Sequence, residues 1–77
     1  MRDRPTRIFL RFRDRGDGAA FAQLFDLVAP ELLAVAVRVA PDVATAEDLV
    51  QSTFVAAIER ASTFEAARDV KPWLFGI

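Results

Sequence analysis

The 77-residue sequence contains no cysteine and no histidine. Without cysteine the chain cannot form disulfides, thiolate metal ligands or thiol nucleophiles, and without histidine it lacks imidazole ligands and the commonest general base. We therefore expect a protein that is not an enzyme and that binds no cofactor or metal ion.

Long hydrophobic runs are also scarce. No apolar run approaches the ~20 residues that cross a membrane. Near the N-terminus the short apolar group Ile8 to Leu10 is followed by Arg11 and Arg13, which is unlike the core of a signal peptide. The sequence therefore predicts a soluble cytoplasmic protein that makes no contact with a membrane.

Charge is unevenly distributed, although the net charge is only -1. Residues 1–15 carry six Arg and two Asp, whereas residues 16–77 carry four basic and nine acidic side chains. A basic segment of this kind can lie near nucleic acid phosphates or an acidic partner, but chain termini are usually mobile unless they are tied down. We interpret residues 1–16 as a flexible Arg-rich arm and residues 17–77 as one small helical domain.

Glycine and proline divide this domain into segments. Gly16 and Gly18 mark a turn, and Asp17 is placed to cap the helix that follows. Pro30 should end or kink that helix, because the residue before a proline is displaced from the helical region. Residues 31–40 are apolar almost all round, and their alternating valines would also fit a buried strand. We predict a second helix here, because a lone strand would have no partner.

The segment from Thr45 to Arg60 has the clearest helical pattern. Thr45 is an N-cap candidate, and Asp48 three residues later occupies the position of a capping-box acid. Apolar residues then recur at helical spacing, which predicts one packed face and one exposed polar face. The residues expected in the core are Phe21, Leu24, Phe25, Leu33, Val50, Phe54 and Ile58.

Residues 61–69 break this apolar rhythm and are predicted to form a loop. After the loop, Pro72 stands where the first turn of a further helix would tolerate it. The predicted fold is therefore all-α, a small three-helix bundle plus the first turn of a fourth helix.

Three sequence blocks together resemble a known family. The blocks are AFAQLF, AEDLVQSTFVAAIER and WLFGI. In this order and spacing they resemble the second conserved region of bacterial sigma-70-type sigma factors, closest to the extracytoplasmic-function group, over residues 17–77. The resemblance implies a role in transcription initiation, with core RNA polymerase as the partner and an anti-sigma factor as a further one.

The resemblance implies that the helix over Thr45 to Arg60 docks against the clamp helices of the polymerase beta-prime subunit. Asp48 and Gln51 match the contact pair of the family, and Ser52 and Val55 complete the predicted polymerase-binding set. Ser52 departs from the pattern, because family members usually carry an acidic residue at this position. Without the resemblance, Asp48 reads equally well as a helix cap and Gln51 as a solvated surface amide.

The resemblance also implies that the loop and the next helix approach promoter DNA. The predicted DNA-proximal residues are Phe64, Arg68, Lys71 and Trp73. In the family the loop helps to hold a base flipped from the nontemplate strand, and the helix opened by the W-L block continues into the stretch that reads the minus-ten element. That stretch and the second, helix-turn-helix domain have no match in the printed sequence. The chain thus resembles an N-terminal fragment of a sigma factor, and promoter binding is expected only if the chain continues.

The alternative function is a stand-alone helical interaction module or adaptor with no promoter recognition. Its docking surface would be the apolar segment Trp73 to Ile77, since an exposed apolar patch commonly marks a protein contact. The reading frame beyond Ile77 would distinguish the two functions.

Overall fold

Four α-helices account for most of residues 2–77, the part of the chain that the computed structural model describes. They are α1 (Arg4–Arg15), α2 (Gly18–Val39), α3 (Val43–Glu59) and α4 (Val70–Phe75), with a turn of 3-10 helix at Ala61–Thr63. No strand occurs within residues 2–77. The predicted all-α fold is confirmed, although the helices are not divided as the sequence suggested.

Helix α1 lies where we expected a flexible arm. Asp3 caps it by accepting a hydrogen bond from the backbone N–H of Thr6 at 2.8 Å, and Gly16 ends it in the left-handed conformation with a φ of 66°. The apolar residues of α1 that are buried in the core are Ile8, Phe9 and Leu10. The expectation of a solvated terminus is therefore wrong for Arg4–Arg15, because the apolar residues between the arginines tie this segment down.

Helix α2 continues through Pro30, where we predicted that one helix ends or kinks and a second begins. Asp17 caps the helix as expected, accepting from the N–H of Ala20 at 3.1 Å. A proline inside a helix loses one backbone hydrogen bond and costs ~3 kcal/mol. Val28 and Leu32 on either side of Pro30 are both buried, so the packing of both halves outweighs that cost and keeps the helix continuous.

The continuous helix α2 is also a longer apolar segment than the sequence led us to expect. With its 22 residues in one helix, α2 is long and apolar enough to cross a membrane by length and composition alone. This is weak evidence, because the core helix of a soluble protein meets the same criteria. Only 22% of its most apolar stretch is buried, and the exposed residues in its second half include Val35, Val37 and Val39.

Helix α3 begins two residues before the predicted start. Asp42 is its N-cap and accepts from the N–H of Thr45 at 2.7 Å. The predicted capping box is therefore wrong: Thr45 is a donor to the cap, and Asp48 lies in the second turn. A cap three residues before Thr45 was available in the sequence, since aspartate is as good an N-cap as threonine or better.

The three long helices pack with α2 between α1 and α3, and α4 contacts both α1 and α3. The predicted core residues that are buried are Leu24, Val50 and Phe54. Those that are half-buried and pack against the core are Phe21, Phe25 and Leu33. The prediction is wrong for Ile58, because 48% of this residue is exposed. Ala57 and Ala61 are the buried residues at this end of α3.

Candidate functional site

The four residues predicted to bind polymerase form one stripe along α3. Asp48, Gln51, Ser52 and Val55 follow the spacing i, i+3, i+4 and i+7, which places them on a single helical face. All four are exposed, and Val55 retains 56% of its surface. The buried residues of α3 lie on the other side of the helix, namely Ala46, Val50, Phe54 and Ala57. The structure thus brings the predicted set together on a surface that is open to a partner.

A hollow of about 340 Å³ lies beside this stripe, between α2 and α3. Its residues from α2 are Phe25, Asp26, Ala29, Pro30 and Leu33, and its residues from α3 are Glu47, Val50 and Gln51. Apolar side chains therefore predominate, while Asp26 and Glu47 carry negative charge. Gln51 belongs both to the stripe and to the hollow, so a partner seated on the stripe would also meet the hollow.

The ring of Phe64 is part of the core. Its centroid lies 5.3 Å from that of Phe9 and 5.2 Å from that of Trp73, and the centroids of Phe9 and Trp73 are 5.4 Å apart. Phe64 is 3% exposed and Phe9 is fully buried, whereas Trp73 is half-buried. Phe64 therefore acts by holding the loop to the bundle, and of these three rings only Trp73 has an edge open to solvent.

The basic residues predicted near DNA differ in their surroundings. Arg68 is highly exposed and forms a surface ion pair with Glu65, with 3.3 Å between Nε and Oε2. Lys71 pairs with Glu31 on α2 at 3.0 Å, so its charge is partly compensated and it ties α4 to α2. A hollow of about 420 Å³ is lined by Arg68, Trp73 and their neighbours Ala67, Asp69 and Pro72. Arg68 and Trp73 thus share a surface, whereas Lys71 and Phe64 do not border it.

Helix α1 holds this loop by contacts that the sequence did not suggest. Arg13 Nη1 donates to the carbonyl oxygen of Phe64 at 2.6 Å, and Arg2 Nε donates to the carbonyl oxygen of Ala66 at 3.1 Å. Charge alone gave no reason to single out either arginine. The sequence feature that favours a packed helix here is the alternation of arginines with the apolar residues Ile8, Phe9, Leu10 and Phe12. A solvated arm would not be expected to show it.

The apolar segment Trp73 to Ile77 is only partly a surface patch. Leu74 is buried and Trp73 is half-buried, while Phe75 and Ile77 are 42% and 36% exposed. About half of the segment therefore packs within this chain, and the area left for a docking surface is correspondingly small.

Within residues 2–77, no group of three acidic side chains is arranged to hold a metal ion. The residues that line the candidate surfaces carry hydrogen-bonding, charged and apolar side chains.

The profile of the family described as Sigma-70 region 2 matches residues 24–77. This chain belongs to the sigma-70 region 2 family. RNA polymerase sigma factor CarQ from Myxococcus xanthus is 39% identical to it over 67 residues, which make up 87% of this chain and 38% of that relative. The chain therefore spans well under half the length of this relative. No solved structure matches the chain.

The family assignment confirms the resemblance drawn from the three sequence blocks, and the likeness to CarQ supports the extracytoplasmic-function group. The matched span begins at Leu24 and contains both candidate surfaces. Helix α1 precedes it. Arg2 and Arg13, which hold the loop, thus lie outside the span that the family profile matches.

Proposed function

We propose that this chain is the part of a sigma factor that binds core RNA polymerase, and that it does so through the stripe Asp48, Gln51, Ser52 and Val55 at the clamp helices of the beta-prime subunit. It acts by association and not by catalysis. In a full-length protein the bound domain directs polymerase to the minus-ten promoter element. Such a protein works in the cytoplasm, and an anti-sigma factor would compete for its surfaces.

This proposal rests on one observation: the stripe is continuous with the hollow beside it, because Gln51 belongs to both. The carboxylate of Asp48 projects from one turn of α3, and the amide of Gln51 and the hydroxyl of Ser52 project from the next. The neighbouring hollow adds apolar surface together with Asp26 and Glu47. An amphipathic helix carrying basic and apolar side chains is the partner that such a surface fits. Because Ser52 is neutral, Asp48 is the only charged member of the stripe.

The second half of the proposal concerns single-stranded promoter DNA. The half-buried ring of Trp73 borders the 420 Å³ hollow together with Arg68. An aromatic edge beside a guanidinium group suits a nucleobase and its phosphate. We propose this hollow as the DNA-proximal surface, with Phe64 and Lys71 holding the loop and α4 in place behind it.

The test is a titration of the chain against an isolated beta-prime clamp coiled coil. Asp48→Ala and Gln51→Ala should each weaken binding about fivefold or more, which corresponds to about 1 kcal/mol for a lost charge-assisted or polar contact. Glu65→Ala, which removes an exposed acid from the loop, is the matched control and should bind as the parent does. Unchanged affinity in both α3 variants would show that the stripe is not the contact surface.

A further inference from the structure

The exposed side of α1 carries a regular row of arginines. Arg4, Arg7, Arg11 and Arg15 follow one another at intervals of three and four residues, so each lies about one helical turn, 5.4 Å, from the next. All four are exposed, as is Arg2 just before the helix. We call these five residues the arginine face.

The arginines of this face form no direct ion pair within residues 2–77, although the charge of Arg7 acts on Asp3 and the charges of Arg2 and Arg15 act on Asp14. The salt bridges within residues 2–77 join Arg13 to Asp14, Arg68 to Glu65 and Lys71 to Glu31, and none includes a member of this face. Arg11 donates to the neutral amide oxygen of Gln23 at 3.0 Å, and Arg7 donates to the carbonyl oxygen of Arg2 at 3.2 Å. Like charges at this helical spacing repel one another and destabilise a helix. The stability of α1 therefore does not explain the row of arginines.

The arginine face and the loop enclose a hollow of about 230 Å³. Its lining includes Arg2, Arg7, Arg11 and Arg15 on one side and Ala66 on the other. Arg2 bridges the two sides through its hydrogen bond to the carbonyl oxygen of Ala66. The loop residues that follow Ala66 line the hollow of Arg68 and Trp73, so the arginine face borders the loop that forms the proposed DNA-proximal surface.

Asp14 is the one acidic residue that lines this hollow, and it already forms a salt bridge. Its Oδ1 accepts from Arg13 Nε at 2.8 Å. That hydrogen bond is the main cause of the lowered pKa of Asp14, to which the charges of Arg13, Arg2 and Arg15 also contribute. Asp14 therefore remains ionised and paired with a residue outside the arginine face, which leaves the guanidinium groups of the face open to an external anion.

We propose that the arginine face binds the phosphodiester backbone of the nucleic acid that passes the loop. A row of planar guanidinium groups at regular intervals suits a polyanion with regularly spaced phosphates, which accept paired N–H donors. The proposal deepens the proposed function and rests on it for the position of the DNA beside Arg68 and Trp73. It gives this chain a backbone contact on α1, separate from both the α3 stripe and the Trp73 hollow.

The experiment is a fluorescence anisotropy titration of labelled DNA with the 77-residue chain in the absence of polymerase, over salt concentrations of about 50 to 200 mM. One sequence is used as a single strand and as a duplex, and the two arms show which form supplies the phosphates. Arg11→Gln/Arg15→Gln should reduce the slope of log affinity against log salt by about 1.4 on the single strand or about 1.8 on the duplex. At the lowest salt it should also weaken binding about tenfold or more.

The matched control is Arg38→Gln/Arg60→Gln, which removes the same charge from exposed positions outside α1. It should retain the parental slope. Arg11→Lys/Arg15→Lys keeps both charges and should retain most of the slope as well. Such a result would show that the smaller slope of Arg11→Gln/Arg15→Gln comes from the lost charges. Circular dichroism on each variant checks that its helical content matches that of the parent.

Three results would overturn the proposal: no measurable DNA binding by the parent, an unchanged slope in Arg11→Gln/Arg15→Gln, or an equal loss in the Arg38 and Arg60 control. A polyglutamate chain of matched charge that binds as tightly as DNA would also overturn it and identify an acidic protein as the partner. Arg11→Gln/Arg15→Gln should leave binding to the clamp coiled coil unchanged. The two titrations therefore test DNA binding by the arginine face and polymerase binding by the α3 stripe independently.

Discussion

Thr6 on α1 accepts the hydrogen bond of the first residue of α4. Its Oγ1 lies 2.9 Å from the backbone nitrogen of Val70, and both residues are fully buried. Asp69, the N-cap residue of α4, makes no side-chain cap bond. Thr6 therefore supplies, from 64 positions away in the sequence, the acceptor that a local cap normally provides.

Replacing Thr6 by valine should destabilise the protein measurably. The substitution keeps the shape of the side chain but leaves the N–H of Val70 buried without a partner, which costs about 1–3 kcal/mol. Urea unfolding followed by circular dichroism would give the change in the free energy of unfolding. Thr6→Ser keeps the oxygen and should lose clearly less; equal losses in the two variants would contradict a role for the hydrogen bond.

Truncating Phe9 should loosen the contact between α1 and the loop. Phe9 is fully buried and its ring packs against those of Phe64 and Trp73, so Phe9→Ala should cost about 3–5 kcal/mol. Trp73 is the only tryptophan, and its fluorescence emission should shift to longer wavelength as water reaches the ring. Phe75→Ala changes an exposed phenylalanine on α4 and should leave the emission nearly unchanged.

The two apolar residues Phe54 and Ile58 should respond very differently to truncation, although both fit the helical spacing of α3. Phe54 is 3% exposed and contacts the rings of Phe21 and Phe25, so Phe54→Ala should cost about 3–5 kcal/mol. Ile58 is 48% exposed, and Ile58→Ala should cost about 1 kcal/mol or less. Thermal or urea unfolding of both variants would check this difference, and a large loss for Ile58→Ala would contradict the exposed position.

Three aspartates should make the fold sensitive to acid. Asp3 and Asp42 accept hydrogen bonds from Thr6 and Thr45, which lower the pKa of these two carboxyl groups, and the bond donated by Arg13 lowers the pKa of Asp14. Groups with a lowered pKa stabilise the fold above their unfolded value of about 3.9, and this contribution is lost as the pH falls through the folded value. The melting temperature should therefore decline below pH ~4.

Asp42→Asn tests the contribution of one of these groups. Asparagine is an equally good N-cap but carries no charge, so the variant should melt below the parent at neutral pH and approach it as the pH falls towards ~3. A difference in melting temperature that stays constant across this range would show that ionisation of Asp42 does not contribute.

The parts of the fold that follow from local pattern were predictable from the sequence. Asp17 caps α2 as its position after Gly16 suggests, and the apolar spacing of α3 correctly places Val50 and Phe54 in the core. The stripe from Asp48 to Val55 is likewise exposed because the same spacing places it opposite the buried face. Its role as the polymerase contact stays a prediction.

The errors arose where tertiary packing overrides a local rule. Pro30 breaks a helix in isolation, yet burial of Val28 and Leu32 holds α2 together. The arginines of residues 1–15 suggested a solvated arm, yet one buried stripe containing Phe9 is sufficient to fix the whole helix. The acceptor role of Thr6 had no signal at all in the sequence, because its partner Val70 lies at the other end of the chain.

The contacts of Thr6 with Val70 and of Arg2 with Ala66 also govern the order in which the fold can be completed. Each closes a chain segment of 64 residues, and such distant contacts form late because the entropy of closing a long segment must be met first. Helices α2 and α3, which are adjacent in sequence, can pair earlier. We therefore expect the loop of Phe64 and Ala66 to acquire its shape late, once α1 has docked on it and on α4.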